Sequence, residues 1–188
     1  MIKSDSCGIR IVYGLPGSGK TYFLCSRALD SLRRGRDTVT DFPVRGALRF
    51  DEELLHGAMI YDSDIYLDEA YKYFNSRNFK NFSRSMHEFF SLHRHNGNVI
   101  YLGTQHPARL DVIIRELADD FVCVSNTKLF GRVLWFTYCV YLDDPVSVPH
   151  GMLKPTSVSR SLFRMSVASS YDTHALRSSD QPLELVPW

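Results

Sequence analysis

Gly14, Gly19, Lys20 and Thr21 form the pattern Gly-x-x-x-x-Gly-Lys-Thr. Glycines at such positions let the backbone curl until several N–H groups converge on one small volume, where they hold phosphate oxygens. A lysine at this spacing reaches β- and γ-phosphates, and the threonine hydroxyl is a ligand for Mg²⁺. The pattern is a Walker A loop for ATP. The run predicted to hold the nucleotide is Gly14, Leu15, Pro16, Gly17, Ser18, Gly19, Lys20, Thr21 and Tyr22.

A second acidic element is Ile65-Tyr66-Leu67-Asp68-Glu69. An aspartate at a strand end holds Mg²⁺ through its water shell. A glutamate next to it takes a proton from the attacking water. Asp68 is the expected metal residue beside Thr21, and Glu69 the expected catalytic base. Asp62 and Asp64 compete for the metal role but precede the strand end. Thr104-Gln105 follows another apolar run. Gln105 is predicted to sense the γ-phosphate or position water, because an amide both donates and accepts. Arg94, Arg109 and Arg115 compete as a finger reaching a neighbouring subunit. Each alone reads first as a surface charge, and Asp111 stands four residues before Arg115 as an intrahelical partner.

Two other clusters carry less. Asn126-Thr127-Lys128-Leu129 lacks the aspartate of a guanine-reading motif, and no DxxG follows the Walker A loop, so a GTPase is discounted. His93 and His95 are two apart and share no helix face, which disfavours a metal pair. His93 falls on an apolar face and reads as a hydrogen-bonded core histidine.

These residues need a scaffold, and the periodicity supplies one. Ile9–Tyr13, Thr38–Phe42, Asp64–Leu67, Val99–Leu102, Phe121–Val124 and Arg132–Leu142 read as strands. Thr21 to Arg34 is predicted as an amphipathic helix ended by Gly35, and Asp51–His56 as a short helix. Met86, Phe89, Phe90 and His93 mark one helical face, closed by Asn96-Gly97, and Leu110, Ile113, Ile114 and Leu117 another. Alternation of strand and helix predicts an α/β fold, a P-loop NTPase of the RecA/ASCE kind with a mostly parallel sheet flanked by helices. Residues 1–144 are predicted to form the ATPase core. The proline- and serine-rich stretch 145–188 is expected as a C-terminal extension packed on or tethered to it.

The 188 residues are 44% hydrophobic and 23% charged, with a net charge of +1, so the chain as a whole is no polyanion binder. Four scattered cysteines form no CxxC, which predicts a reducing compartment without a disulfide framework. No stretch reads as a membrane span or a signal region. Arg77 to Arg84 interleaves three basic residues with two phenylalanines. It reads as a solvated loop or as a contact for single-stranded nucleic acid.

Taken in order, the Walker A loop, Asp68-Glu69, the block Phe89-Phe90-Ser91-Leu92-His93-Arg94-His95-Asn96-Gly97 and the block Thr104-Gln105-His106-Pro107-Ala108-Arg109-Leu110-Asp111 resemble the zonular occludens toxin (Zot) family. That family includes the assembly ATPases of filamentous phages. The resemblance spans about residues 9 to 142, and Tyr171-Asp172-Thr173 looks like the end of the family's cytoplasmic domain. It implies an oligomeric ATPase at the cytoplasmic face of the host inner membrane, driving extrusion of single-stranded DNA virions. Coat and membrane-assembly proteins are its implied partners. Family members continue into a transmembrane helix, which these residues lack, so membrane contact is expected to be indirect or through a further region. Two other readings share the motifs: a nucleotide or nucleoside kinase, and a nucleotide-dependent assembly scaffold.

Overall fold

The computed structural model describes residues 7–55, 60–74, 84–149 and 151–171. Among these, β-branched and aromatic runs build one eight-stranded sheet. Its strands are β1 (Gly8–Tyr13), β2 (Asp37–Thr40), β3 (Leu48–Arg49), β4 (Ser63–Leu67), β5 (Val99–Thr104), β6 (Asp120–Leu129), β7 (Arg132–Tyr141) and β8 (Ser157–Leu162). Across the sheet the order is β3-β2-β4-β5-β1-β6-β7-β8. The first six strands pair in parallel, and β7 and β8 add antiparallel.

The central strands β1, β4 and β5 are buried on both faces, and their side chains alternate between two cores. Ile9 and Ile11 of β1 face one, and Val12 faces the other. Helix α1 (Lys20–Arg33) covers the Val12 side with Phe23, Leu24, Cys25 and Ala28. Burying a phenylalanine such as Phe23 contributes about 2 kcal/mol. Helices α2 (Arg84–Leu92) and α3 (Val112–Leu117) cover the other side through Met86, Phe90 and Ile114. Phe90 meets the edge of Phe74 with ring centres 5.0 Å apart. His93 is buried, and its Nδ1 bonds the Phe90 carbonyl.

Several local predictions change. The strand expected at Phe121–Val124 runs on to Leu129 and turns back through Phe130 and Gly131, both with positive φ (50° and 77°). That geometry matches the right-handed twist of a hairpin. β8 lies in the serine-rich stretch and pairs with β7, and the short α4 (Met165–Ala168) follows it and contacts α1. Asp111 does not pair with Arg115. It caps α3 by accepting from the Ile113 amide at 2.9 Å, and Arg115 pairs with Asp144 instead. No helix among the described residues is long and apolar enough to cross a membrane.

Candidate nucleotide site

Parallel strands that share a direction bring their carboxyl ends to one edge, where ligands of such sheets bind. β1 delivers the Gly14–Gly19 loop there, and α1 starts immediately after it. Three glycines of this loop have positive φ, and Gly19 takes 103°. Lys20 is buried, and its ammonium donates to the carbonyls of Gly14 at 3.2 Å and Leu15 at 3.4 Å. The Ser18 amide closes the loop on the Leu15 carbonyl at 3.0 Å.

β4 ends beside this loop, with β5 between it and β1. The Thr21 hydroxyl donates to Asp68 Oδ2 at 2.5 Å, so the two expected metal residues meet. Gly103 of β5 makes room for them: a Cβ there would lie 2.8 Å from Asp68 Oδ1. Glu69 leaves the strand in the left-handed region at φ 51°, and its amide donates to Asp68 Oδ1 at 3.0 Å. Gln105, at the end of β5, donates its amide to Glu69 Oε1 at 3.4 Å. Lys20, Thr21, Asp68, Glu69 and Gln105 therefore form one cluster.

The predicted arginines stand elsewhere. Arg94 pairs with Asp119 at the amino end of the sheet, where Asp119 also bonds the backbone of Ile9. Arg115 is tied to Asp144. Arg109 lies over the Tyr71 ring at 5.2 Å. Asp64 is buried at the start of β4 against Ser31 and Arg36, and Asp62 sits by Gly97, so neither reaches Asp68. Of the Arg77–Arg84 segment, residues 77–83 lie outside the described residues, as do Asp172 and Thr173.

Two contributors carry no motif of their own. Asn126 of β6 donates to the Gly17 carbonyl at 2.6 Å and braces the phosphate loop from the side. Losing a bond of this kind costs about 1 kcal/mol. Asn126→Ala should therefore lower the melting temperature by about 2 to 4 °C, and the less firmly braced loop should bind a fluorescent ATP analogue more weakly in titration. Asp41, just past β2, accepts from the Asp68 amide at 2.7 Å. Desolvation pushes its carboxyl up to about 8, against the pull of that amide. Only the chain's return to the end of β2 reveals it, because Asp41 and Asp68 are far apart in sequence.

The residues fit a nucleotide phosphate with Mg²⁺. Among the described residues, Ser18 Oγ and Glu69 Oε2 are buried without a partner, both at this edge. A cleft of about 460 Å³ opens over the loop, lined by Leu15, Ser18, Gln105, His106, Asn126 and Lys128. It falls in the size range of small-molecule sites.

A strand inserted between the Walker A and Walker B strands, with both motifs at its carboxyl edge, defines a P-loop NTPase of the ASCE class. The chain matches the family described as Zonular occludens toxin (Zot) over residues 52–147. It belongs to that family. The structure is similar to the N-terminal domain of zonular occludens toxin from Neisseria meningitidis, with TM-score 0.63 and 20% identity, covering 89% of this chain and 100% of that one. It is also similar to the genome packaging NTPase from Sulfolobus turreted icosahedral virus 2. In complex with sulfate that protein gives TM-score 0.55 and 15% identity, over 84% of this chain and 96% of the other. In complex with ATP-gammaS it gives 0.54 and 13%, over 84% and 98%. No curated protein matches the chain.

Proposed function

We propose that this chain is the ATP-hydrolysing motor domain of a viral assembly machine. In this reading it acts as a homo-oligomer at the cytoplasmic face of the host inner membrane. It drives the assembly and extrusion of filamentous virions or the export of single-stranded DNA, with coat and membrane-assembly proteins as partners. The observation that carries the reading is the contact of Gln105 with Glu69 beside the Thr21–Asp68 pair. Family membership and the similarity to a viral packaging NTPase support the viral setting.

In the mechanism, backbone amides of the Gly14–Gly19 loop and Lys20 bind the phosphates. The Lys20 ammonium exchanges the loop carbonyls for phosphate oxygens. Thr21 and Asp68 would hold Mg²⁺, which screens phosphate charge when bound. Glu69 Oε2, with no partner among the described residues, takes a proton from water. Gln105 holds the other oxygen and fixes the carboxylate plane.

Phosphate release from ATP, measured across protein concentrations with and without single-stranded DNA, tests the reading. Release without any acceptor should rise more steeply than in proportion to protein concentration, and DNA should stimulate it. Phosphoryl transfer to a nucleoside would overturn the reading in favour of a kinase. An absence of turnover would overturn it in favour of a scaffold.

A further inference from the structure

We infer that Asp41 is a positioning residue for Glu69, acting through the backbone of the turn that carries it. The inference rests on the hydrolase reading above. β4 ends at Leu67, so the Asp68 amide has no place in the strand ladder. Asp41 continues the ladder for one step, donating its own amide to the Tyr66 carbonyl at 3.2 Å. Its side chain then accepts from the otherwise unpaired Asp68 amide at 2.7 Å.

After Glu69 the chain enters a 3₁₀ turn, Ala70–Lys72, which ends at Tyr73. Burial, and then the nearness of Asp41, pushes the Tyr73 phenol up. One side chain just past β2 thus anchors the turn where it leaves β4. Directly after the held Asp68 amide sits Glu69 at φ 51°, a conformation that a non-glycine residue keeps only when its surroundings enforce it. The Asp68 side chain is fixed separately, by Thr21 at Oδ2 and the Glu69 amide at Oδ1. Asp41 therefore acts on the direction of the backbone leaving Asp68, and that direction aims the Glu69 carboxylate.

Asn at position 41 retains an acceptor oxygen for the Asp68 amide, and Ala does not. Asp41→Ala should lower kcat by about 10- to 100-fold, the scale of a misplaced catalytic group. KM for ATP and the affinity for a fluorescent ATP analogue should stay within two-fold, about 0.4 kcal/mol, of the wild type. Asp41→Asn should restore most of kcat. Hydrogen exchange supplies a readout independent of turnover: peptides covering 68–73 should exchange faster in Asp41→Ala, α1 should not, and Asp41→Asn should match the wild type. An unchanged kcat and unchanged exchange in Asp41→Ala would overturn the inference. Equal losses of kcat, nucleotide affinity and α1 protection in both variants would overturn it too, leaving Asp41 a plain folding residue. If the wild type turns over no ATP, the hydrolase reading fails. The exchange pattern alone then decides whether Asp41 orders the turn.

Discussion

Glu69→Gln should all but stop the proposed ATP turnover and leave ATP binding intact. The substitution keeps shape and volume, so the left-handed turn and its amide bond to Asp68 survive. The Gln105 amide donates to Glu69 Oε1 at 3.4 Å, and a carbonyl oxygen in the variant serves as the same acceptor. What is lost is basicity. Glu69 Oε2 is buried and has no partner among the described residues, and an amide there takes up no proton from water. General-base catalysis contributes about 10²- to 10⁴-fold, or about 3 to 5 kcal/mol of the barrier. Phosphate release should fall by at least about 100-fold, while titration with a fluorescent ATP analogue returns the wild-type affinity. Normal turnover in Glu69→Gln would remove Glu69 from the reaction.

Gly19→Ala should have the largest effect on the fold and the site together. Gly19 sits at φ 103°, where an L side chain is strained. An added Cβ would also lie 2.6 Å from Phe136 Cδ1. Phe136 has no easy retreat. It is buried and stacks on Tyr22 with ring centres 4.4 Å apart, with Tyr138 and Phe163 further along the same row. Left-handed strain and overpacking together cost about 3 kcal/mol. Thermal unfolding should show that loss, and nucleotide binding should fail because the α1 amino terminus is displaced. Gly17→Ala is the contrast. Its φ is 73° but its Cβ meets nothing within 4 Å, so only the conformational cost of about 1 to 2 kcal/mol remains. A Gly19→Ala protein as stable as Gly17→Ala would show that Phe136 does not limit the loop.

The elements that position the site were legible where a single periodicity carried them. β1, α1, β4 and β5 bear their own patterns, and the motif residues sit at their ends. Gln105 was readable because it closes an apolar run that becomes the inserted strand. The hairpin tip was not, because Asn126, Thr127 and Lys128 are polar and Phe130-Gly131 lacks the asparagine that usually marks such a turn. β8 was hidden by its serines, which face one side of the strand and alternate with Val158, Arg160 and Leu162 on the other. Asn126 and Asp41 escaped for a different reason. Each acts on backbone groups of a segment distant in sequence, so neither has a characteristic spacing to the residue it serves.

The two blocks on which the resemblance to the family was read sit at opposite ends of β5, and most of their residues hold chain to chain. His93 packs under α2, Arg94 ties to Asp119, and Gly97 leaves space for Asp62, where a Cβ would collide. At the other end Thr104 bonds the His106 carbonyl, His106 accepts from Ala108, and Asp111 caps α3. Only Gln105 reaches the acidic cluster. The signature thus records how one central strand is threaded and anchored, almost independently of the reaction at its tip. A descendant that had lost Glu69 would keep the signature nearly whole.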